Sequence, residues 1–437
     1  MRFFVNGGKK LAGEIILGGA KAVAPKLMIA SFLTDEPCYL ENFPEIGETQ
    51  ITQELCESVG SHCELKSDCL KIQTPVIKNH RVISLSRRNR IPILALGPLL
   101  ARAGEAEVPV LGGDQIGPRP VDIHLEALTA LGAEIQNNDK TFYAKTKNGL
   151  KGAKIVLRYP SVGATENAIL AAVLARGRTI VYNAAVEPEI TDLIKMLQKM
   201  GAIIGLGANR AIHIDGVKKL RGARHRIMPD RNEAVSFACL AIATNGKILV
   251  KEARQEDLLT FLNALRRIGG EYEIVKGGIE FSRPRSQLTG IELETDTHPG
   301  FMTDWQQPFT ILLTQASGTS VIHETVYEDR FAYTEDLNRM GANIQVFSKC
   351  LGELPCRFNG GGHYHSAVIH GPTRLQAIKT AVRDLRAGMA HLIAALVANG
   401  RSEISGIEEI DRGYYKIDER LRGLGADIKR AGQTNAS

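Results

Sequence analysis

Aromatic residues make up only 5% of this 437-residue chain, and Trp305 is its single tryptophan. Base-stacking platforms need several exposed rings, so nucleic acid is not an expected partner. A basic track is also missing. The net charge is +6, and the densest patch, Arg87-Arg88-Asn89-Arg90, suits a small anion better than a duplex. No stretch approaches the roughly 18 uninterrupted apolar residues that a membrane helix needs, so no membrane association is expected. The opening MRFFVNGGKK has no apolar core of a secretory signal, and the expected location is the cytoplasm. Cysteine is sparse and odd in number, at 38, 56, 63, 69, 239, 350 and 356. Such residues read as free, mostly buried thiols. Cys350 and Cys356 lie just before His363, His365 and His370. These are zinc-ligand types. The spacing fits no short zinc motif, however, and FNGGGHYH reads as a flexible loop, so no metal is assigned there.

What the chain has in abundance is a repeat. A second helix ending at glycine, followed by a short strand, recurs six times, at Gly60, Gly132, Gly201, Gly269, Gly341 and Gly425. The intervals are 72, 69, 68, 72 and 84 residues. Glycine after a last helical turn accepts the left-handed backbone of a C-cap, and alternating apolar residues beyond it read as a strand. Before each copy comes a helix apolar nearly all round, such as NAILAAVLARG or AVSFACLAIATNG, and then a β-branched strand. Units of about 70 residues built this way cannot bury their apolar faces alone. The expectation is an α/β protein of two bodies, each of three βαβα-like units, with helices inside and sheets outside. The longer last interval predicts a local insertion within CLGELPCRFNGGGHYHSAV.

One stretch concentrates chemistry: Leu111-Gly112-Gly113-Asp114-Gln115-Ile116-Gly117-Pro118-Arg119-Pro120. Paired glycines free the backbone before Asp114, and two prolines stiffen the segment around Arg119. A carboxyl group and an anion binder on such a loop suit a lid over a negatively charged substrate. The equivalent loops of the other repeats are charged as well. If they project from equivalent ends, Asp114, Arg119, Glu187, Arg330 and Arg412 line one cleft.

These segments resemble the enolpyruvyl transferases over essentially the whole chain. The anchors are GGAK at 18–21, ALGPLLARAG at 95–104, GGDQIGPRPVDIH at 112–124, PSVGATENAILAAVLARG at 160–177 and NAAVEPEI at 183–190. PDRNEA at 229–234, TDWQQPF at 303–309, DLRAG at 384–388 and EIDRGYYKIDERLRGLGADI at 409–428 complete them. The resemblance implies two inside-out α/β domains of three repeats each, 20–229 and 1–19 plus 230–437, with the active site in the cleft between them. It implies transfer of the enolpyruvyl group of phosphoenolpyruvate to the 3-hydroxyl of UDP-N-acetylglucosamine, with release of phosphate, and no cofactor. This reaction is the first committed step of peptidoglycan synthesis.

By the same resemblance Lys21, Arg119, Arg386 and Arg412 hold phosphoenolpyruvate, and Arg90 serves the nucleotide-sugar side. Several anionic groups in one site do call for a forked guanidinium or a compact ammonium. Asp304 matches the base that takes the hydroxyl proton, and Asp114 the acid that protonates the methylene carbon. Pro120, Val121, Asp122 and Ile123, with Ser161, Val162 and Gly163, match the nucleotide-binding segments. Asp304 and Val326 would contact the sugar and the uracil. Glu187, Asp230, Arg330 and Asp384 are expected to support the site.

The chain departs from the family pattern at three places. Asp114 stands where most members carry cysteine. Fosfomycin alkylates that cysteine, and a carboxylate is a far poorer nucleophile toward an epoxide, so fosfomycin resistance is expected. The family's Lys-Asn pair reads Lys21-Ala22, which removes a polar substrate contact worth about 1–3 kcal/mol. The third departure is the insertion. Two other readings therefore stay open: an enolpyruvyl transferase with another nucleotide-sugar acceptor, and a non-catalytic nucleotide-sugar-binding paralogue.

Overall fold

All six repeat glycines adopt a left-handed backbone, with φ of 114°, 96°, 104°, 86°, 98° and 95° at Gly60, Gly132, Gly201, Gly269, Gly341 and Gly425. Only a residue without a Cβ takes such angles at little cost, so each glycine ends a helix and redirects the chain into a strand. The computed structural model describes residues 1–87, 89–110, 112, 117, 119–283 and 286–432.

The strands after these glycines are His62–Lys66, Glu134–Asn137, Ile203–Leu206, Glu271–Val275, Asn343–Phe347 and Asp427–Ala431. Each pairs antiparallel with a second strand, which pairs antiparallel in turn with the strand following the repeat's apolar helix. A parallel edge strand completes five of the six sheets among the described residues. In the sixth, the parallel edge shrinks to a single bridge between Arg81 and Glu107. In the last repeat the N-terminal strand Arg2–Asn6 takes the place of the second strand, between Arg401–Ser405 and Asp427–Ala431. Ala12–Ile16 likewise adds the parallel edge to Lys247–Lys251.

The chain divides into two units. One comprises Gly18–Gly113 with Pro120–Met228; the other comprises Met1–Leu17 and Pro229–Ser437 and includes Arg119. Each has three of the six sheets and a single apolar core. The cores are helical. In the larger unit, helices Arg231–Ala243, Thr303–Thr314 and Leu385–Val397 pack on one another, and every residue of Arg231–Ala243 is buried. In the other, Pro92–Ala103 packs on Ala24–Ala30 and on Val162–Ala172. A Cβ at Gly97 would stand 2.9 Å from the Ala171 Cβ, so that helix pair crosses closely only because Gly97 lacks one. Helices apolar all round end up inside and sheets outside, as the repeat pattern predicts. Among the described residues no helix is long and apolar enough to cross a membrane. The predicted insertion runs between strands Asn343–Phe347 and Ser366–Gly371. His370 falls inside the second of these strands, where its Nδ1 lies 3.0 Å from the Thr319 hydroxyl, and so does not belong to the loop.

Candidate active site

The repeat also governs where functional side chains sit, because residues at the starts of the central helices stand at equivalent places. Asp230 accepts from the amides of Asn232 and Glu233 at 2.8 and 3.2 Å. Asp384 accepts from Arg386 and Ala387, both at 3.0 Å. Ser161 accepts from Ala164 at 3.3 Å. All three are N-caps that satisfy otherwise unpaired amides. Asp230 and Asp384, expected from the sequence as supporting residues, are thus helix caps.

In the unit holding Asp304, charge is concentrated and already paired. Asp304 lies in the first turn of Thr303–Thr314. Its Oδ1 accepts from Arg330 at 2.5 Å and its Oδ2 from the Arg386 Nε at 3.0 Å. Both guanidiniums are buried, with side chains 2% and 7% exposed, against 27% for Asp304. Burial opposes their charge, but it is outweighed at Arg330 by Asp304, Asp384 and Glu324, and at Arg386 by Asp304, Tyr414 and Asp230, so both are held above the usual guanidinium range. Arg386 also donates to the Tyr414 hydroxyl at 3.2 Å. Arg119 and Arg330 each lie 5.4 Å from the Tyr327 ring centroid, a cation–π distance. Arg119 takes a left-handed φ of 46°, uncommon for a residue with a side chain. Arg412 is buried and pairs with Glu409 at 2.9 Å.

Val326 belongs to a turn built on a buried acid. Glu324 Oε1 accepts from the amides of Val326 and Tyr327 at 2.8 and 3.0 Å, and Oε2 from the Thr303 hydroxyl at 2.9 Å. Burial pushes the Glu324 carboxyl up, with Arg330 drawing it partly back. Asp114 lies outside the described residues.

In the other unit, the charged side chains lie in separate pairs. Lys21 stands 3.7 Å from the buried Glu48. Ala22 presents no polar side chain, and its carbonyl accepts from Lys26. Lys26 pairs at 3.0 Å with buried Glu166, whose carboxyl burial pushes up. Val162 and Gly163 open the helix that Ser161 caps. Gly163 lies against His124: a Cβ there would stand 2.8 Å from the ring Cε1. His124 is buried on helix Asp122–Ala130, with Nδ1 3.4 Å from Asn167. Burial, and then the nearby Arg90 charge, push its pKa down to about 3. Val121 immediately precedes this helix. The Asp122 carboxylate receives Arg158 and the Ile123 amide, and Pro120 is exposed. Glu187 is buried at the start of Pro188–Lys199.

The structure thus gathers Asp304, Arg330, Arg386, Asp230 and Asp384 into one network. Sequence reasoning missed Tyr414, Tyr327, Glu324 and His124. Tyr414 and His124 lie inside quoted anchors, and buried polar contact, which no anchor reports, is what distinguishes them.

Comparison with known proteins agrees with this architecture. The sequence model of the EPSP synthase (3-phosphoshikimate 1-carboxyvinyltransferase) family matches residues 5–421. A UDP-N-acetylglucosamine 1-carboxyvinyltransferase of Chlamydia pneumoniae is 48% identical over 430 residues, covering 97% of this chain and 94% of that one. Those of Protochlamydia amoebophila and Gluconobacter oxydans are 46% and 40% identical, over 97% and 98% of this chain and 93% and 99% of theirs. Among solved structures, the enolpyruvyl transferase NikO from Streptomyces tendae superposes with a TM-score of 0.85 at 21% identity, covering 98% of each chain. An EPSP synthase from Acinetobacter baumannii does so at 0.73 and 18%, covering 99% of this chain and 100% of that one. At such identities the structural likeness speaks to the fold alone. The family match and the near full-length identity carry the assignment: the chain belongs to the EPSP synthase family of enolpyruvyl transferases, with the UDP-N-acetylglucosamine 1-carboxyvinyltransferases as its relatives.

Proposed function

We infer that this chain transfers the enolpyruvyl group of phosphoenolpyruvate to the 3-hydroxyl of UDP-N-acetylglucosamine, releasing phosphate, as the first committed step of peptidoglycan synthesis in the cytoplasm. The observation that carries the reading is the network at Asp304, where buried Arg330 and Arg386 converge on one carboxylate. Two buried guanidiniums aim forked donors at one partly exposed carboxylate, a geometry that an entering anion can share. A phosphoenolpyruvate carboxylate or phosphate entering there would take over part of their hydrogen bonding. Asp304 would then be released to accept the sugar hydroxyl proton.

In the addition, the sugar oxygen bonds to the substituted carbon of the enol, and Asp114 gives its proton to the methylene carbon. In the elimination, the carbon–oxygen bond to phosphate breaks and the methyl carbon returns a proton. Lys21, Arg119 and Arg412 complete the cation set, and Arg90 serves the diphosphate. Pro120 to Ile123, and Ser161 to Gly163, hold the nucleotide, with Val326 at the uracil. The two domains assigned to this work are 20–229 and 1–19 plus 230–437.

A second reading rests on Ala22, which has no polar side chain where the family has asparagine: the acceptor is another nucleotide sugar. Phosphate release from phosphoenolpyruvate separates the readings, measured with UDP-N-acetylglucosamine, with shikimate 3-phosphate and with no acceptor. Release with the UDP-sugar alone, abolished in Asp114→Asn, is expected. UDP-sugar binding without release would shift the assignment to another acceptor or to a binding protein. Fosfomycin should leave the activity intact, and rapid stoichiometric alkylation at Asp114 would refute that expectation.

A further inference from the structure

The insertion loop and the strand ahead of it bring together four side chains that the reaction does not use. His323 ends strand Gly318–His323, and its backbone partner across the sheet is Ser366. His365 therefore enters the sheet beside it, while Cys350 and Cys356 come from the loop. The ligand atoms of His323, Cys350, Cys356 and His365 all lie within 4.8 Å of one another. We propose that these four residues bind one zinc ion in a closed tetrahedral site.

The spacing fits the metal. Zinc bonds of about 2.3 Å to sulfur and about 2.0 Å to nitrogen put tetrahedral edges near ~3.8 Å between sulfurs and ~3.5 Å between sulfur and nitrogen. The Cys350 and Cys356 sulfurs are 3.7 Å apart, and the Cys350 sulfur is 3.3 Å from the His365 Nε2. Two thiolates and two imidazoles are a donor set that selects zinc over harder cations.

Three further observations describe a built site rather than a chance cluster. First, His323 is fully buried, and among the described residues its ring nitrogens make no well-formed hydrogen bond, Nδ1 having only Glu294 at 3.5 Å. A buried imidazole left so is costly, and a metal bond resolves it. Glu294 Oε1 lies 3.5 Å from Nδ1, the place of the carboxylate that commonly orients a zinc-bound histidine, which leaves Nε2 for the metal. Second, His365 Nδ1 donates to the His363 carbonyl at 2.7 Å, and this fixes the tautomer with Nε2 as a lone-pair donor. Third, the Cys356 amide points to the Cys350 sulfur at 3.3 Å and the Phe358 amide to the Cys356 sulfur at 3.4 Å. Amides donating to sulfur favour thiolate. Gly352 permits this closure, since a Cβ there would stand 1.7 Å from Glu294 Oε1 and 2.2 Å from His323 Nδ1.

From the sequence no metal is assigned, because the spacing of Cys350 and Cys356 to His363, His365 and His370 fits no short zinc motif and FNGGGHYH reads as a flexible loop. The structure keeps only His365 of these, sends His363 toward Asp329 at 3.7 Å, and recruits His323 from a preceding strand. Four protein ligands leave no open position, so the role is structural. The loop so fastened reaches the turn after Glu324, where Arg357 donates to the Val326 carbonyl. Zinc would thus hold the insertion against the turn that carries Val326, Tyr327 and Arg330.

The test is metal analysis of the full-length protein purified under reducing conditions. About one zinc per chain is expected, lost in Cys350→Ser/Cys356→Ser and reduced in His323→Gln. Because these variants can fail to fold, the wild-type protein stripped by a chelator is also titrated with cobalt(II). Thiolate-to-cobalt charge transfer and tetrahedral d–d bands, saturating at about one equivalent and bleached by zinc, are the expected signature. Zinc below about a tenth of an equivalent, with no cobalt spectrum, would overturn the proposal. So would full zinc content in the double cysteine variant, or a Cys350–Cys356 disulfide that forms at once and blocks cobalt uptake. None of these readouts depends on which acceptor the enzyme uses.

Discussion

The two units share one repeat and one topology, yet they prepare for ligands differently. Around Asp304 the candidate site is built on side-chain charge: Arg330 and Arg386 are buried and already joined to the aspartate. Around Ser161 and Gly163 it is built on a helix start, with a buried His124 ring packed against Gly163. The first arrangement recognises an anion by preorganised forks. The second offers the amides of a helix N-terminus, a kind of place where phosphate binds well. Under the proposed function a small, highly charged substrate suits the first arrangement and a nucleotide phosphate the second, with Lys21 and Val326 each serving the substrate that the opposite unit mainly suits.

The strongest way to break this comparison is at the charged half. Asp304→Asn keeps the volume and removes the charge. It should lower the rate of phosphate release at least about 100-fold, if Asp304 is the proposed base. It should also cost roughly 3 kcal/mol of stability, since Arg330 and Arg386 lose their shared carboxylate while staying buried. Single-turnover phosphate release and denaturant unfolding measure the two effects. Activity within a few-fold of wild type would remove Asp304 from the role of base, whatever happened to stability.

This half was also the more legible one in sequence. Arg386 and Asp304 sit in short anchors of unusual composition, and the helix-ending glycines gave the six-fold count by spacing alone. Arg330 was reached only as one charged residue in one of six equivalent loops. Its pairing with Asp304 spans 26 residues, and nothing local marks it. The same limit hid the histidine at 323. Residues 350, 356 and 365 are close in sequence, but the fourth ligand is delivered by strand pairing across the sheet, and pairing of that range leaves no trace in local spacing. Gly163 entered only through the resemblance for the converse reason: what requires glycine there is the His124 ring lying across it.

The backbone half is sharpened by Gly163→Ala. The added methyl would meet the His124 ring at 2.8 and 3.0 Å. That ring is buried and held near Asn167, so it cannot swing into solvent. Overpacking of this kind costs about 1–3 kcal/mol. The expected kinetic result is a raised KM for the UDP-sugar with kcat little changed, the mark of lost uniform binding. An equal fall in kcat would instead place Gly163 close to the reacting atoms and weaken the division of labour between the halves.

The smallest effect is the most specific to His124. Its folded-state pKa of about 3 lies below the ordinary value of 6.5. As pH falls through 6.5, the unfolded chain therefore takes up a proton that the folded chain refuses. Stability contributed by the neutral ring is fully present above pH 6.5 and drains away toward pH 3, at about 1.4 kcal/mol per pH unit. Arg90 strengthens the refusal and Asp122 weakens it. The buried carboxyls of Glu166 and Glu324 shift upward, so in the same acid range they partly mask the trend by favouring the folded chain. Comparing wild type with His124→Gln cancels their contribution. Unfolding free energies at pH 7.5 and 5.5 should fall less in the variant than in the wild type, by about 1 kcal/mol. Parallel pH dependence in both proteins would mean that His124 is protonated within the fold, and a cation there would turn the second half into another charge-based site.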